Sequence, residues 1–231
     1  MKKYLPNFLT CCNLICGCLG IVFVLEGRGI PAAYLVWLAC LFDFFDGFAA
    51  RILKVPSLIG RELDSLADVV SFGVLPALVM YTMISASTDS AILPYIGFTI
   101  AVFSAIRLAI FNIDETQRDS FRGLNTPANS IFITSLPLLY EYVGAWLYNP
   151  YVLISITVVF SLLLVSPMDF FALKFKNFTW QDNKLRFTFL ILSALFLLIL
   201  QILAVPVIII LYIILSLLES TVTERSSLKE S

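Results

Sequence analysis

Between Leu5 and Leu218 the chain is a succession of apolar runs, each close to the length needed to cross a bilayer and separated by short polar stretches. That length is the strongest constraint on the fold, because a hydrocarbon core of ~30 Å takes ~20 helical residues. Runs near 7–25, 31–50, 62–86, 92–113, 128–147 and 150–166 each read as a helix. A further run from Phe187 to Leu218 is too long for one pass, and Pro206 is expected to turn it into a hairpin. With 60% of 231 residues hydrophobic and 13% charged, a soluble domain could not hide so much apolar surface. The expected fold class is an all-α integral membrane protein: six core transmembrane helices plus an extra C-terminal hairpin, about eight in total. The first run has no small-residue cleavage site after it and reads as a retained helix, not a signal peptide. The expected division is a membrane domain at 1–185, the hairpin at 186–219 and a polar cytoplasmic tail at 220–231.

Lysine and arginine orient the bundle. With the N-terminus in the cytoplasm, every one of the 15 falls on the inner side except Arg28. The region 43–68 then straddles the cytoplasmic face of the membrane. A net charge of −1 offers no basic footprint for nucleic acid. Cys11, Cys12, Cys16 and Cys18 cluster, but inside an apolar run and in a chain with no histidine. Small soft residues at a helix–helix contact are the better reading than a zinc site or disulfides.

Four aspartates interrupt this apolar pattern. Asp43 and Asp46 lie three residues apart on the second helix, with Gly47 and Ala50 on their face and Phe44, Phe45 and Phe48 opposite. On the third helix Gly60, Asp64, Asp68 and Ser71 form a similar stripe. Each aspartate inside a membrane helix costs ~2.5–3.5 kcal/mol, so four demand compensation. Pairing with Arg51 and Arg61 is one solution, but it does not account for glycines beside acids on two converging faces. Oxygen ligands without His or Cys suit hard divalent cations such as Mg²⁺ or Mn²⁺. Two such ions could clamp a diphosphate and stabilise charge on a transferring phosphoryl group. A carboxylate-lined ion or proton transporter is the alternative from another class; transporters usually place such groups near the midplane.

The pattern Asp43-x₂-Asp46-Gly47-x₂-Ala50-Arg51-x₈-Gly60-x₃-Asp64-x₃-Asp68 resembles the signature of the CDP-alcohol phosphatidyltransferase family at every defined position. The resemblance implies a helical bundle with a cytoplasm-facing polar cavity, homodimeric, in the plasma (inner) membrane of a prokaryote. It implies transfer of a phosphatidyl group from a CDP-linked lipid such as CDP-diacylglycerol to an alcohol, releasing CMP. Carried over by position, Asp43, Asp46, Asp64 and Asp68 hold two Mg²⁺ or Mn²⁺ ions, and Asp68 is the base for the acceptor hydroxyl. Gly47, Arg51, Ser57 and Gly60 meet the CDP-lipid. Ser57, in a Pro-Ser turn, is equally readable as a helix cap.

Three further stretches bear on the acceptor. Leu5-Pro-Asn-Phe-Leu-Thr-Cys-Cys-Asn-Leu-Ile-Cys-Gly17, Phe121-Arg-Gly-Leu-Asn-Thr-Pro-Ala128 and Leu162–Lys176 resemble segments of those members of the family that use L-serine. Asn125 departs from the proline expected in the second. Serine is a zwitterion, so its pocket needs a cation for the carboxylate and acceptors for the ammonium. Arg107 in the fourth helix is the leading carboxylate partner and Arg122 its rival, with Asn112, Asn125 and Asn129 as polar neighbours. A snorkelling interfacial arginine is the alternative account of Arg107. Sister acceptors, glycerol 3-phosphate, inositol phosphate or choline, stay open.

Overall fold

The computed structural model describes residues 4–114, 120–171, 173, 179–181 and 183–230, with the backbone course alone at 120, 121 and 221–230. Helices α1 (Leu5–Leu25) and α2 (Gly29–Ile52) are joined by a turn at 26–28 and pack along each other. Ala32, Val36 and Ala39 of α2 are fully buried. Steps of four, three, four and three residues carry that stripe onward from Ala32 to Asp43 and Asp46. The aspartates therefore sit on the face α2 turns toward the bundle. Phe44, Phe45 and Phe48 are exposed on the other side, where lipid would lie.

The end of α2 is sharp. Lys54 takes a left-handed backbone with φ 53°, its N–H donates to the Arg51 carbonyl, and the Val55 N–H donates to that of Ala50. These two bonds close the last turn of the helix. Pro56 cannot extend it, and Ser57 opens α3 (Leu58–Asp68) as its cap, its Oγ accepting the Gly60 N–H at 2.9 Å. The chain is thus folded back within a few residues, which brings the acids of α3 to those of α2.

Helix α3 runs through a π-helical turn, Val69–Val74, into α4 (Leu75–Ser87). The run expected at 62–86 is thus one long element with a wider turn inside it. Pro76 supplies the reason: it has no N–H to offer the carbonyl of Phe72, and its ring crowds that carbonyl, so the preceding turn loosens. A 3₁₀ turn, Leu93–Phe98, leads into α5 (Thr99–Ile113). Strand β1 (Ser120–Arg122) pairs antiparallel with β2 (Asp169–Phe171), Arg122 opposite Asp169. This short ribbon is a small addition to an otherwise helical fold.

Helix α6 (Thr126–Ser135) is capped by Asn125, whose Oδ1 accepts the Ala128 N–H at 2.7 Å. The helix expected at 128–147 does not continue as one piece. Pro137 falls within a 3₁₀ turn, Leu136–Leu139, followed by the single turn α7 (Tyr140–Val143) and a second 3₁₀ turn, Ala145–Tyr148. Helix α8 is Pro150–Leu164, and the C-terminal pair is α9 (Lys184–Leu200) and α10 (Ala204–Glu230). The break between these two falls at Gln201, with φ 50°, and not at Pro206. Proline is tolerated in the first turn of α10, where no intrahelical donor is required.

Among the described residues five helical stretches are long and apolar enough to cross a membrane, Leu5–Leu25, Gly29–Ile52, Leu58–Ser87, Leu93–Ile113 and Lys184–Ser220, and Pro150–Leu164 is a shorter apolar helix. The chain is a multi-pass membrane protein. Of the charges that orient it, Lys2, Lys3, Arg118, Lys174 and Lys176 and the side chains of Arg225 and Lys229 lie outside the described residues. Tyr212 of α10 donates its hydroxyl to the carbonyl of Phe171 at 3.0 Å, inside an aromatic cluster with Phe170 and Phe189. The C-terminal pair thereby closes over the β1–β2 ribbon.

Candidate active site

Three helices meet at the acids. One carboxylate oxygen from each of Asp43, Asp64 and Asp68 lies within 4.8 Å of the other two. Asp43 of α2 and Asp64 of α3 thus face each other across the junction of their helices. Two ionised carboxylates have no donor to share, so this approach is stable only with a cation or a proton between them. Asp64 Oδ1 is moreover buried without any hydrogen-bond partner. Among the described residues neither Arg51 nor Arg61 forms an ion pair with the four acids: the Arg51 Nε donates to the Gly47 carbonyl, and Arg61 pairs with the exposed Glu62. The arginine account of the aspartates is therefore set aside, and a hard-donor cation site fits the residues present.

Asp46 stands one turn further along α2. Its Oδ2 accepts from the Thr10 hydroxyl, and it lines a cleft of about 200 Å³ together with Asp64, Gly47, Ser57, Gly60 and Arg61. Three of the four residues expected to meet the CDP-lipid thus gather in one cleft beside two of the acids. The fourth, Arg51, is exposed on the last turn of α2. The Ser57 hydroxyl is the α3 cap, as one of its two readings expected, and the residue also lines the cleft.

The residues expected at the acceptor separate into two groups. Arg107 and Arg122, rivals in sequence, line the same cleft of about 160 Å³ with Phe111, Asp114 and Ser166. Arg107 is 7% exposed, its Nε has no partner, and it lies within Coulombic range of Asp68. It is therefore buried, not snorkelling. The asparagines lie apart from this cleft's lining. Asn112 donates to Ser65 Oγ at 2.8 Å, Asn125 caps α6, and Asn129 is fully buried with both amide atoms unpaired. Ser104 Oγ and Thr126 Oγ1 are likewise buried without partners. These three buried residues of α5 and α6 thus carry unpaired polar atoms, which is unusual in a membrane bundle.

The model of CDP-alcohol phosphatidyltransferases matches residues 3–163, from α1 through nearly all of α8. This chain belongs to the CDP-alcohol phosphatidyltransferase family. Among its relatives in the family is a CDP-diacylglycerol–serine O-phosphatidyltransferase of Bacillus subtilis, 34% identical over 172 residues, covering 73% of this chain and 90% of the relative. A protein of the same name from Mycobacterium leprae is 35% identical over 150 residues, and the match spans 62% of this chain and about half, 49%, of that longer protein. The archaetidylserine synthase of Methanothermobacter thermautotrophicus is 32% identical, over 72% of this chain and 69% of its own length. As a member of the family the protein is a membrane transferase with an acidic group able to bind a divalent metal.

Reading the family signature did not reach four residues that the structure brings to the site. Thr10 and Asn13 come from α1, and Asp114 and Ser166 enter the arginine cleft. For the first two a signal existed. Asn7, Thr10 and Asn13 recur every three residues in an otherwise apolar helix, which puts them on one face. Asp114 and Ser166 sit in connecting segments, where no periodicity points to a partner.

Proposed function

We propose that the protein is an enzyme of phospholipid synthesis that transfers the phosphatidyl group of CDP-diacylglycerol to the hydroxyl of L-serine, giving phosphatidylserine and CMP. The observation that carries the reaction class is the convergence of Asp43, Asp64 and Asp68 beside a cleft walled by Gly47, Ser57 and Gly60. Asp43, Asp46, Asp64 and Asp68 hold two Mg²⁺ or Mn²⁺ ions. Bound there, such ions neutralise the diphosphate and stabilise charge on the phosphoryl group in transfer. Gly47 and Gly60 have no side chains to keep the nucleotide away, and Arg51, tethered to the Gly47 carbonyl, is a phosphate partner. Asp68 takes the proton of the serine hydroxyl as its oxygen attacks the lipid-side phosphorus, and CMP leaves.

Acceptor choice rests on the second cleft and on the names of the relatives. Arg107 and Arg122 face one volume of about 160 Å³, a size suited to an amino acid, with Asp114 also at its wall. The arginines take the serine carboxylate and Asp114 its ammonium. Two arginines in one cleft also favour a phosphorylated alcohol, which is the second reading. Transferase and acceptor sites occupy 1–185, with 186–219 as a membrane hairpin and 220–231 as a cytoplasmic tail. The protein is a homodimer in a prokaryotic plasma membrane, with eight helices, both termini inside and the acids at the cytoplasmic face.

CMP release by purified protein, measured with L-serine, glycerol 3-phosphate, inositol phosphate and choline, tests the reading. Release with serine alone supports it. Release only with a phosphorylated alcohol moves the assignment to a sister enzyme. No release with any alcohol, together with metal-dependent ion flux in proteoliposomes, removes the transferase reading.

A further inference from the structure

We propose that helix α1 is the support of the metal centre, with Thr10 and Asn13 as positioning residues that hold Asp46 and Asp68 in ligating orientation. The inference rests on the metal-centre reading above and adds residues outside the aspartate signature.

Thr10 is 2% exposed and Asn13 fully buried, in a helix that apart from Asn7 is built of apolar and small residues. Burying a hydroxyl and a carboxamide there is unfavourable unless each finds a partner. Both do, and both partners are candidate ligands. Thr10 Oγ1 lies against Asp46 Oδ2 of α2 and 3.1 Å from its own helix's Pro6 carbonyl. It has one proton, and a carboxylate is the stronger acceptor. Asn13 donates its Nδ2 to Asp68 Oδ1 of α3 at 3.0 Å.

The orientation of the Asn13 amide follows from that bond. Its Oδ1 is buried with no partner, so the amide accepts an unsatisfied oxygen in order to keep its donor on Asp68. Turned over, it would set a carbonyl against a carboxylate, two acceptors face to face. One oxygen of Asp68 is thereby occupied, which leaves the other for a cation. Helix α1 is itself locked at this height. Ser71 Oγ donates to the Asn13 carbonyl at 3.0 Å, and a Cβ at Gly17 would collide with Ser71, so α1 rests directly on the π turn that follows Asp68. The two donors, three residues apart, thus reach one acid on each neighbouring helix. Groups that orient a ligand from behind tune metal affinity by roughly 10–100-fold.

The test uses full-length protein in detergent with Mn²⁺ as the probe, free ion being read by electron paramagnetic resonance. Thr10→Val and Asn13→Leu are expected to weaken Mn²⁺ binding roughly 10–100-fold and to raise the Mn²⁺ needed for half-maximal CMP release in parallel, with near-normal turnover at saturating Mn²⁺. Thr10→Ser, which restores the hydroxyl, should bind as the parent does. If valine at position 10 prevents folding, Thr10→Ala against Thr10→Ser makes the same comparison. Unchanged Mn²⁺ affinity in folded Thr10→Val or Thr10→Ala and in Asn13→Leu overturns the proposal. Failure of the metal-centre reading looks different: there Asp43→Asn and Asp64→Asn would also leave Mn²⁺ binding unchanged.

Discussion

Asn13 of α1 and Asp68 of α3, 55 residues apart in the chain, are joined by a buried hydrogen bond of 3.0 Å from amide to carboxylate. Asp68 is thus held by α1 while one of its carboxylate oxygens lies within 4.8 Å of those of Asp43 and Asp64. Its two proposed roles, ligand and base, can be told apart by substitution.

Asp68→Asn keeps the size of the side chain and removes the charge. Turnover should fall roughly 10²–10⁴-fold, the usual worth of a general base, with the KM for CDP-diacylglycerol changed only a few-fold. Equal loss of nucleotide-lipid binding would make Asp68 chiefly a ligand. Asp43→Asn and Asp64→Asn each remove a proposed ligand and should abolish both Mn²⁺ binding and activity.

Activity should depend strictly on a divalent cation, because carboxylates this close cannot remain ionised together in an apolar setting. Dialysis against a strong chelator should stop CMP release, and Mg²⁺ or Mn²⁺ should restore it. Full turnover after chelation is the contrary result.

Arg107 is buried at the cleft it shares with Arg122, with a donor to spare. A guanidinium holds a carboxylate by two parallel hydrogen bonds, which an ammonium cannot reproduce. Arg107→Lys should therefore cost about 2 kcal/mol or more in serine binding, roughly a 30-fold rise in KM, with the KM for the CDP-lipid nearly unchanged. Should Arg122→Lys alone have that effect, the exposed arginine is the carboxylate partner. No change in either variant moves the carboxylate pocket elsewhere.

Tyr212→Phe removes the hydroxyl that reaches the Phe171 carbonyl and leaves that buried acceptor unpaired. A loss of about 1–3 kcal/mol in stability is expected, visible as a lower Tm. Since β2 pairs with the strand that carries Arg122, the serine KM should rise as well. A lower Tm with unaltered serine KM would confine Tyr212 to structural support.

Cys11 and Cys18 are exposed, Cys12 is partly buried and Cys16 is buried, and none of the four is in a disulfide. Changing all four to alanine should preserve activity, with a modest loss of stability from the space left by Cys16. Stoichiometric zinc in the parent, lost in the variant along with activity, would contradict this.

Run length and local spacing were legible from residue order, because both act within a few turns of one helix. About twenty apolar residues must span the bilayer, and acids three or four apart must share a face, whatever the rest of the chain does. The stripe from Ala32 to Asp46 and the acids at 64 and 68 belong to this class. So does the cap at Ser57, whose acceptor and donor are three residues apart. Where two local signals competed, residue order was less sure a guide: Pro206 marks a turn, yet it sits inside α10 and the bend falls at Gln201. Proline fits the first turn of a helix as well as the gap before it.

Other features exist only once the helices are packed. Thr10 finds Asp46 across 36 residues and Asn13 finds Asp68 across 55, and neither pairing has a spacing to betray it. Arg107 and Arg122 belong to a helix and a strand whose meeting at Ser166 and Asp114 depends on how α5, the β1–β2 ribbon and the end of α8 come together. A hydrogen bond between distant segments is set by the position of whole helices, and that position comes from the summed packing of every side chain between them, not from any one stretch of residues.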